Sequence, residues 1–176
     1  MLALALLTFY LERMVHEDES QPAKRRHDPD DVITSFTSTT FDGDGRPLNV
    51  LSAARMMHFP DDDTTELEAP HVVQTKPGEP RMSVQAERGA MSADGEEIFL
   101  YDNVVMVRAA DADRPEARLT TSFLHIVRER SLVRTDREVT IVEDNRSLRG
   151  RGMEYNSESQ VFTLMADVRG RFEPKK

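Results

Sequence analysis

The chain has 176 residues, carries 32 acidic against 23 basic side chains for a formal charge of −9, and contains no cysteine. That balance argues against a general nucleic-acid binder, which needs a basic stripe, and the missing thiols exclude disulfides and cysteine chemistry. At 38% hydrophobic residues with few aromatics, one domain with a thin core is expected, as in an elongated β-structure.

Residues 1–11 read MLALALLTFYL, an unbroken apolar run ended by Glu12 and Arg13. Eleven helical residues cover about 16 Å, short of the roughly 30 Å of a bilayer core. The run resembles a signal-peptide h-region in length but lacks a basic n-region and a small-x-small cleavage site. It reads as the tail of a transmembrane anchor over residues 1–15 that starts upstream; a buried helix is the bland alternative. Residues 16–31 are polar, hold Lys24, Arg25, Arg26, Pro22 and Pro29, and read as a flexible linker that holds a domain off a membrane surface.

From Val32 the texture changes, and residues 32–174 read as one β-domain. Short β-branched or aromatic runs alternate with turn clusters: DGDG at 42–45, PDDD at 60–63, Pro77-Gly78, Asp94-Gly95, Asp102-Asn103 and Asp144-Asn145. Ile98, Leu100, Val104 and Met106 share one face of a strand, with a turn or bulge at Asp102-Asn103. Leu119, Thr121, Phe123, His125 and Val127 share a face of another. No window after residue 32 carries a helical pattern with caps.

Two β-patterns recur. The first begins at Leu51, Val84, Leu119 and Leu148, with steps of 33, 35 and 29 residues; the second begins at Val72, Val104, Val139 and Val168, with steps of 32, 35 and 29. Two patterns keeping one period imply about four strand pairs, which bury their apolar faces only by stacking. The expected fold is therefore all-β: an antiparallel sandwich or barrel-like roll with one apolar inner wall and one wet outer wall. Ala53, Ala86, Thr121 and Gly150 hold equivalent repeat positions. Small side chains there either leave room for a ligand in the interior or permit tight contact between sheets. An open stack leaves two unpaired edges, residues 32–41 and 161–172, which can dock other sheets by strand addition.

Chemistry-bearing motifs are weak. The start Asp42-x-Asp44 fails as a calcium loop at Arg46 and at Ala53, and reads as a hairpin turn. Asp61, Asp62 and Asp63 read as a solvated tip. The five histidines, at 16, 27, 58, 71 and 125, lack metal-ligand spacing, and His125 reads as a satisfied inner-wall residue. No nucleophile elbow, phosphate loop or dinucleotide fingerprint is present, so neither an enzyme nor a metal or other cofactor is expected.

The ordered set FTSTTF at 36–41, DGDG at 42–45, LSAAR at 51–55, FPDDDTTEL at 59–67, VQAERG at 84–89, LYDNVV at 100–105, LTT at 119–121 and LRGRGM at 148–153 resembles the LptC family of lipopolysaccharide export proteins. The resemblance runs over most of residues 30–172. It implies a twisted antiparallel β-jellyroll of two sheets behind a short membrane-anchor helix, in the inner membrane with the bulk of the chain in the periplasm. It implies lipopolysaccharide as ligand, the LptBFG transporter at the N-terminal edge and LptA at the C-terminal edge, with energy from the transporter's ATPase. Its turn glycine corresponds to Gly45 and its close-approach glycine to Gly150. The implied lipid-binding wall is Phe41, Leu51, Ala53, Ala86, Ile98, Leu100, Val104, Leu119, Phe123, Ile141 and Leu148. Phe36, Phe162 and Leu164 mark the partner edges. The competing reading is a scaffold that joins partners by its edges around a dry core; a hydrolase is the third and least supported.

Overall fold

A computed structural model describes residues 27–159 and 161–172. The expected anchor and residues 16–26 of the expected linker lie outside the described residues. Among the described residues no helix is long and apolar enough to cross a membrane.

Among the described residues eleven strands form one antiparallel sheet: β1 (Asp31–Phe41), β2 (Pro47–Phe59), β3 (Thr64–Glu68), β4 (His71–Gln74), β5 (Met82–Gln85), β6 (Arg88–Met91), β7 (Glu97–Arg108), β8 (Ala117–Val127), β9 (Leu132–Glu143), β10 (Arg146–Asn156) and β11 (Val161–Phe172). Both β3 and β4 pair with β2, and both β5 and β6 pair with β7. Each short couple is thus one long strand broken in the middle. Ala69, at φ +49°, and Pro70 make the first break, because a left-handed residue followed by a proline cannot continue a flat strand. The Ala69 amide donates to the Glu87 carbonyl at 2.8 Å and the Ala86 amide to that of Pro70 at 3.2 Å, so the ladder carries on past both breaks.

Other strands bend without breaking. Left-handed residues sit mid-strand at Ser35 in β1, at Asp102 and Asn103 in β7, at Gly152 in β10 and at Asp167 in β11. Register shifts accompany the bends in β7, β8 and β10. Such bulges kink a strand and sharpen its twist. The bends fall at corresponding heights, so the sheet folds over along one line.

Burial supports that folding. Val104, Leu124, Val139 and Met153 are 0% exposed. A single sheet leaves both faces wet, so full burial with no helix described requires the sheet to cover itself. The core joins these four with Val84, Leu100 and Leu119, from both sides of the bend.

Cross-strand rows show how the repeat becomes a wall. Leu51, Val72, Val84, Met106, Leu119, Ile141 and Leu148 stand opposite one another in turn, strand after strand from β2 to β10. All four leading positions of the first sequence pattern fall on this row. Beyond the bend a second row runs Met56, Leu67, Gly89, Leu100, Leu124. Between them lie Val104, Thr121, Val139 and Gly150.

Candidate functional site: an apolar cleft between two sheet edges

The first row does not end in the closed core. At its C-terminal end Ile141, Leu148, Gly170 and Phe172 floor an open cleft of about 550 Å³, rimmed by Glu143, Arg146, Ser147 and Arg171. Leu148 pairs with Ile141 on one side and Gly170 on the other, and the missing side chain at Gly170 leaves open space beside Leu148, where an added Cβ would meet only its Cδ1, at 3.8 Å. Arg146 lies over the Phe172 ring, 6.0 Å from its centroid, at the mouth. An apolar floor with a charged rim suits an amphiphile: alkyl chain on the floor, polar head at the rim.

The sheet ends at β1 and β11. Among the described residues β1 pairs only with β2, and β11 only with β10. Both edges expose apolar side chains: Val32, Ile33 and Phe41 on β1, and Val161, Phe162, Met165, Val168 and Phe172 on β11. Unpaired ladder groups beside exposed apolar residues are what strand addition uses. Phe36 is half-buried opposite Ala53. Phe162 is 38% exposed, whereas Leu164 turns inward and packs on the core, so it offers a partner only its backbone.

The expected lipid wall divides three ways. Leu100, Val104, Leu119 and Ala53 are buried, with Ile98, Ala86 and Ile141 half-buried; all but Ala53 belong to the core or pack against it. Leu51 and Leu148 are half-buried in the first row. Phe41 and Phe123 do not belong to the wall. Phe41 is 60% exposed at the end of β1, where a register shift follows Thr40 and none of the described strands covers it. Phe123 faces outward because the register shift between Thr121 and His125 turns β8 over: Leu124 takes the inward place and Phe123 meets Tyr101 at 5.3 Å.

His125 is displaced by the same bulge. It is satisfied and buried, 7% exposed, but on the face away from Leu124: it stacks on Phe99 at 4.4 Å, contacts Glu97 through Nε2 at 2.9 Å and Arg134 through Nδ1 at 3.1 Å. Since the Arg134 Nε–H can only donate, Nδ1 accepts and Nε2 carries the proton donated to Glu97.

Small residues in the bend row serve close contact at Gly150. A Cβ there would meet the Ala166 carbonyl oxygen at 3.2 Å and the Leu164 methyls at 3.2 and 3.3 Å. Gly45 stands at φ +78° in the β1–β2 turn. The Asp42 carboxylate of that turn accepts from the Asp44 and Arg46 amides, each at 2.9 Å, and these bonds, Arg46's first, hold it below the usual carboxylate range.

Sequence spacing missed one cluster, because its members are distant in the chain. His27 stacks on Phe59 at 3.9 Å and bonds Asp61 at 3.1 Å. His58 bonds Asp30 through Nδ1 at 2.8 Å and Asp63 through Nε2 at 2.9 Å. Two carboxylates can only accept, so both bonds together require the imidazolium. The Asp30 bond first, then that of Asp63, raises the His58 pKa above its ordinary 6.5. Its contribution is therefore fully present below 6.5 and lost as pH rises through the raised value. Hydrogen exchange at residues 30–34, corrected for intrinsic rates, is expected to be slower at about pH 6 than at about pH 9. His58→Gln should abolish the difference; equal protection in the parent chain at both values would refute the clamp.

A family model described as lipopolysaccharide-assembly, LptC-related, matches residues 1–173. The chain belongs to this family. Its fold is all-β and β-jellyroll-like, similar to the crystal structure of LptH from Pseudomonas aeruginosa, described as the LptA-homologous periplasmic component of the lipopolysaccharide transport device. The likeness has a TM-score of 0.52 at 8% identity and covers 85% of this chain and 99% of LptH. No curated protein sequence matches this LptC-family chain. The cleft and edges of the LptC-family sheet lie where its repeat ends, and the cleft residues Gly170, Phe172, Arg146 and Arg171 were legible only once β10 and β11 had been paired.

Proposed function

We propose that this LptC-family chain is an inner-membrane-anchored periplasmic lipid-transfer component without chemistry of its own. Residues 1–15 anchor it, 16–31 are the linker, and 32–174 form a twisted two-sheet β-jellyroll. It receives lipopolysaccharide from the LptBFG transporter at the β1 edge and passes it to LptA at the β11 edge, with the transporter's ATPase supplying the energy. The carrying observation is the open cleft over Ile141 and Leu148 beside the β11 edge. Acyl chains need only continuous apolar contact there, and the row from Leu51 to Leu148 supplies it.

The fully buried set Leu100, Val104, Leu124, Val139 and Met153 favours a second reading, an edge-joining scaffold around a dry core. One experiment separates the two. A photoreactive residue is placed at inward Leu148 and, separately, at outward Val142, in the anchored protein in Gram-negative cells. Lipopolysaccharide adducts at 148 and not at 142 are expected for transfer. No adduct at either, with the protein folded and docked, would leave the scaffold.

A further inference from the structure

The outer face of the last three strands is graded in charge. Glu138 on β9 stands opposite Arg151 on β10, and its carboxylate lies 3.6 Å from the Arg149 guanidinium. Arg149 in turn stands directly opposite Arg169 on β11. Arg149 is thus balanced from the β9 side, while the edge arginine meets like charge across the ladder. Directly opposed like charges destabilise a strand pair. The pair sits at the free edge of a chain whose net charge is −9. The exposed Val161, Met165, Val168 and Phe172 on the same strand show that this edge is not simply guarded by charge.

We infer that the strand which adds to β11 carries a carboxylate opposite Arg169, making Arg169 a specificity-determining residue of the C-terminal edge. This rests on the docking of a partner sheet at β11 proposed above. The occupant is the edge strand of a partner protein, with an acidic outward side chain at that register. It flanks the arginine pair from the far side as Glu138 does from the β9 side, and relieves the Arg149–Arg169 repulsion. A strand lacking the carboxylate leaves Arg169 without a counter-charge across the ladder and is discriminated against.

The test uses the full chain in detergent with the LptA-type bridge protein of the same organism, and measures Kd. At about 0.1 M salt, Arg169→Glu is expected to weaken binding about tenfold, and Arg169→Gln about threefold. Raising salt to about 1 M, where the screening length falls to about 3 Å, should weaken the parent chain and move Arg169→Gln little. Unchanged thermal unfolding controls for folding; should Arg169→Glu misfold, Arg169→Gln and the parent salt series still decide. Equal or tighter binding by Arg169→Glu overturns the inference and makes Arg169 a guard of the edge, while β11 docking stands. Loss of binding to phosphatidylglycerol vesicles with bridge-protein affinity intact overturns it in favour of a lipid headgroup. Loss of self-association alone overturns it in favour of a second copy. A parent chain that does not bind the bridge protein removes the docking reading itself and the inference with it.

Discussion

Leu124→Ala is expected to lower the unfolding free energy by roughly 2–5 kcal/mol, the range for emptying a leucine site in a closed core. Leu124 is 0% exposed, stands opposite Leu100, and shares the core with Val104, Val139 and Met153. The walls are cross-strand neighbours held in register by their ladders, so they cannot close around the void. Leu148→Ala is the informative comparison. Leu148 lines the open cleft, where water already reaches the side chain, and its truncation should cost far less. Denaturant titration of both variants measures the difference. Equal losses would mean that the cleft is as closed as the core and that no amphiphile lies there in the folded state.

The second large effect is at Gly150. Replacing it with valine should free β11 from β10 and cost about 1–3 kcal/mol, the usual penalty for overpacking. An added Cβ already meets the Ala166 carbonyl oxygen at 3.2 Å, and that atom belongs to the backbone of the edge strand. Valine's two further methyls have only the Leu164 methyls and the strand itself to displace. Hydrogen exchange should show protection lost along Val161–Phe172 while β7 to β9 keep theirs. Binding of a partner at the C-terminal edge should fall with it. Full protection of β11 in Gly150→Val would show that the small residue is dispensable at this contact.

Much of this architecture is local and therefore legible. Alternation in β7 and β9 places Leu100, Val104 and Val139 inward, because a strand's side chains alternate whatever its neighbours do. The turns at 42–45, 94–95 and 144–145 follow from Asp, Asn and Gly, whose turn-forming chemistry lies in the residues themselves. The period from Leu51 through Val84 and Leu119 to Leu148 reports the spacing of strand pairs, and the structure lays these four residues on one row. Because the repeat begins and ends within the chain, the two free edges were also readable.

What failed to read were features that depend on a partner strand's register. β8 crosses the bend with one residue fewer than β7 and β9, which leaves Thr121 and Leu124, three positions apart, both facing inward, and the sequence of β8 contains no mark of where that shift falls. Phe123 and His125 therefore face outward although the alternation from Leu119 predicts the reverse. Phe41 is apolar and in a strand, but none of the described residues stands over the end of this edge strand to cover it. Whether small residues mean space or contact was likewise undecidable from one strand: at Gly150 the answer lies in the carbonyl of Ala166 on the next. His27, Asp30, His58, Asp61 and Asp63 meet because β1 pairs back along β2. By itself the sequence determined strands, turns, period and edges, all set by interactions within a few residues. The tertiary structure alone decided which face follows a bulge, which small residue is filled, and which distant charges meet, since each depends on how separate strands align.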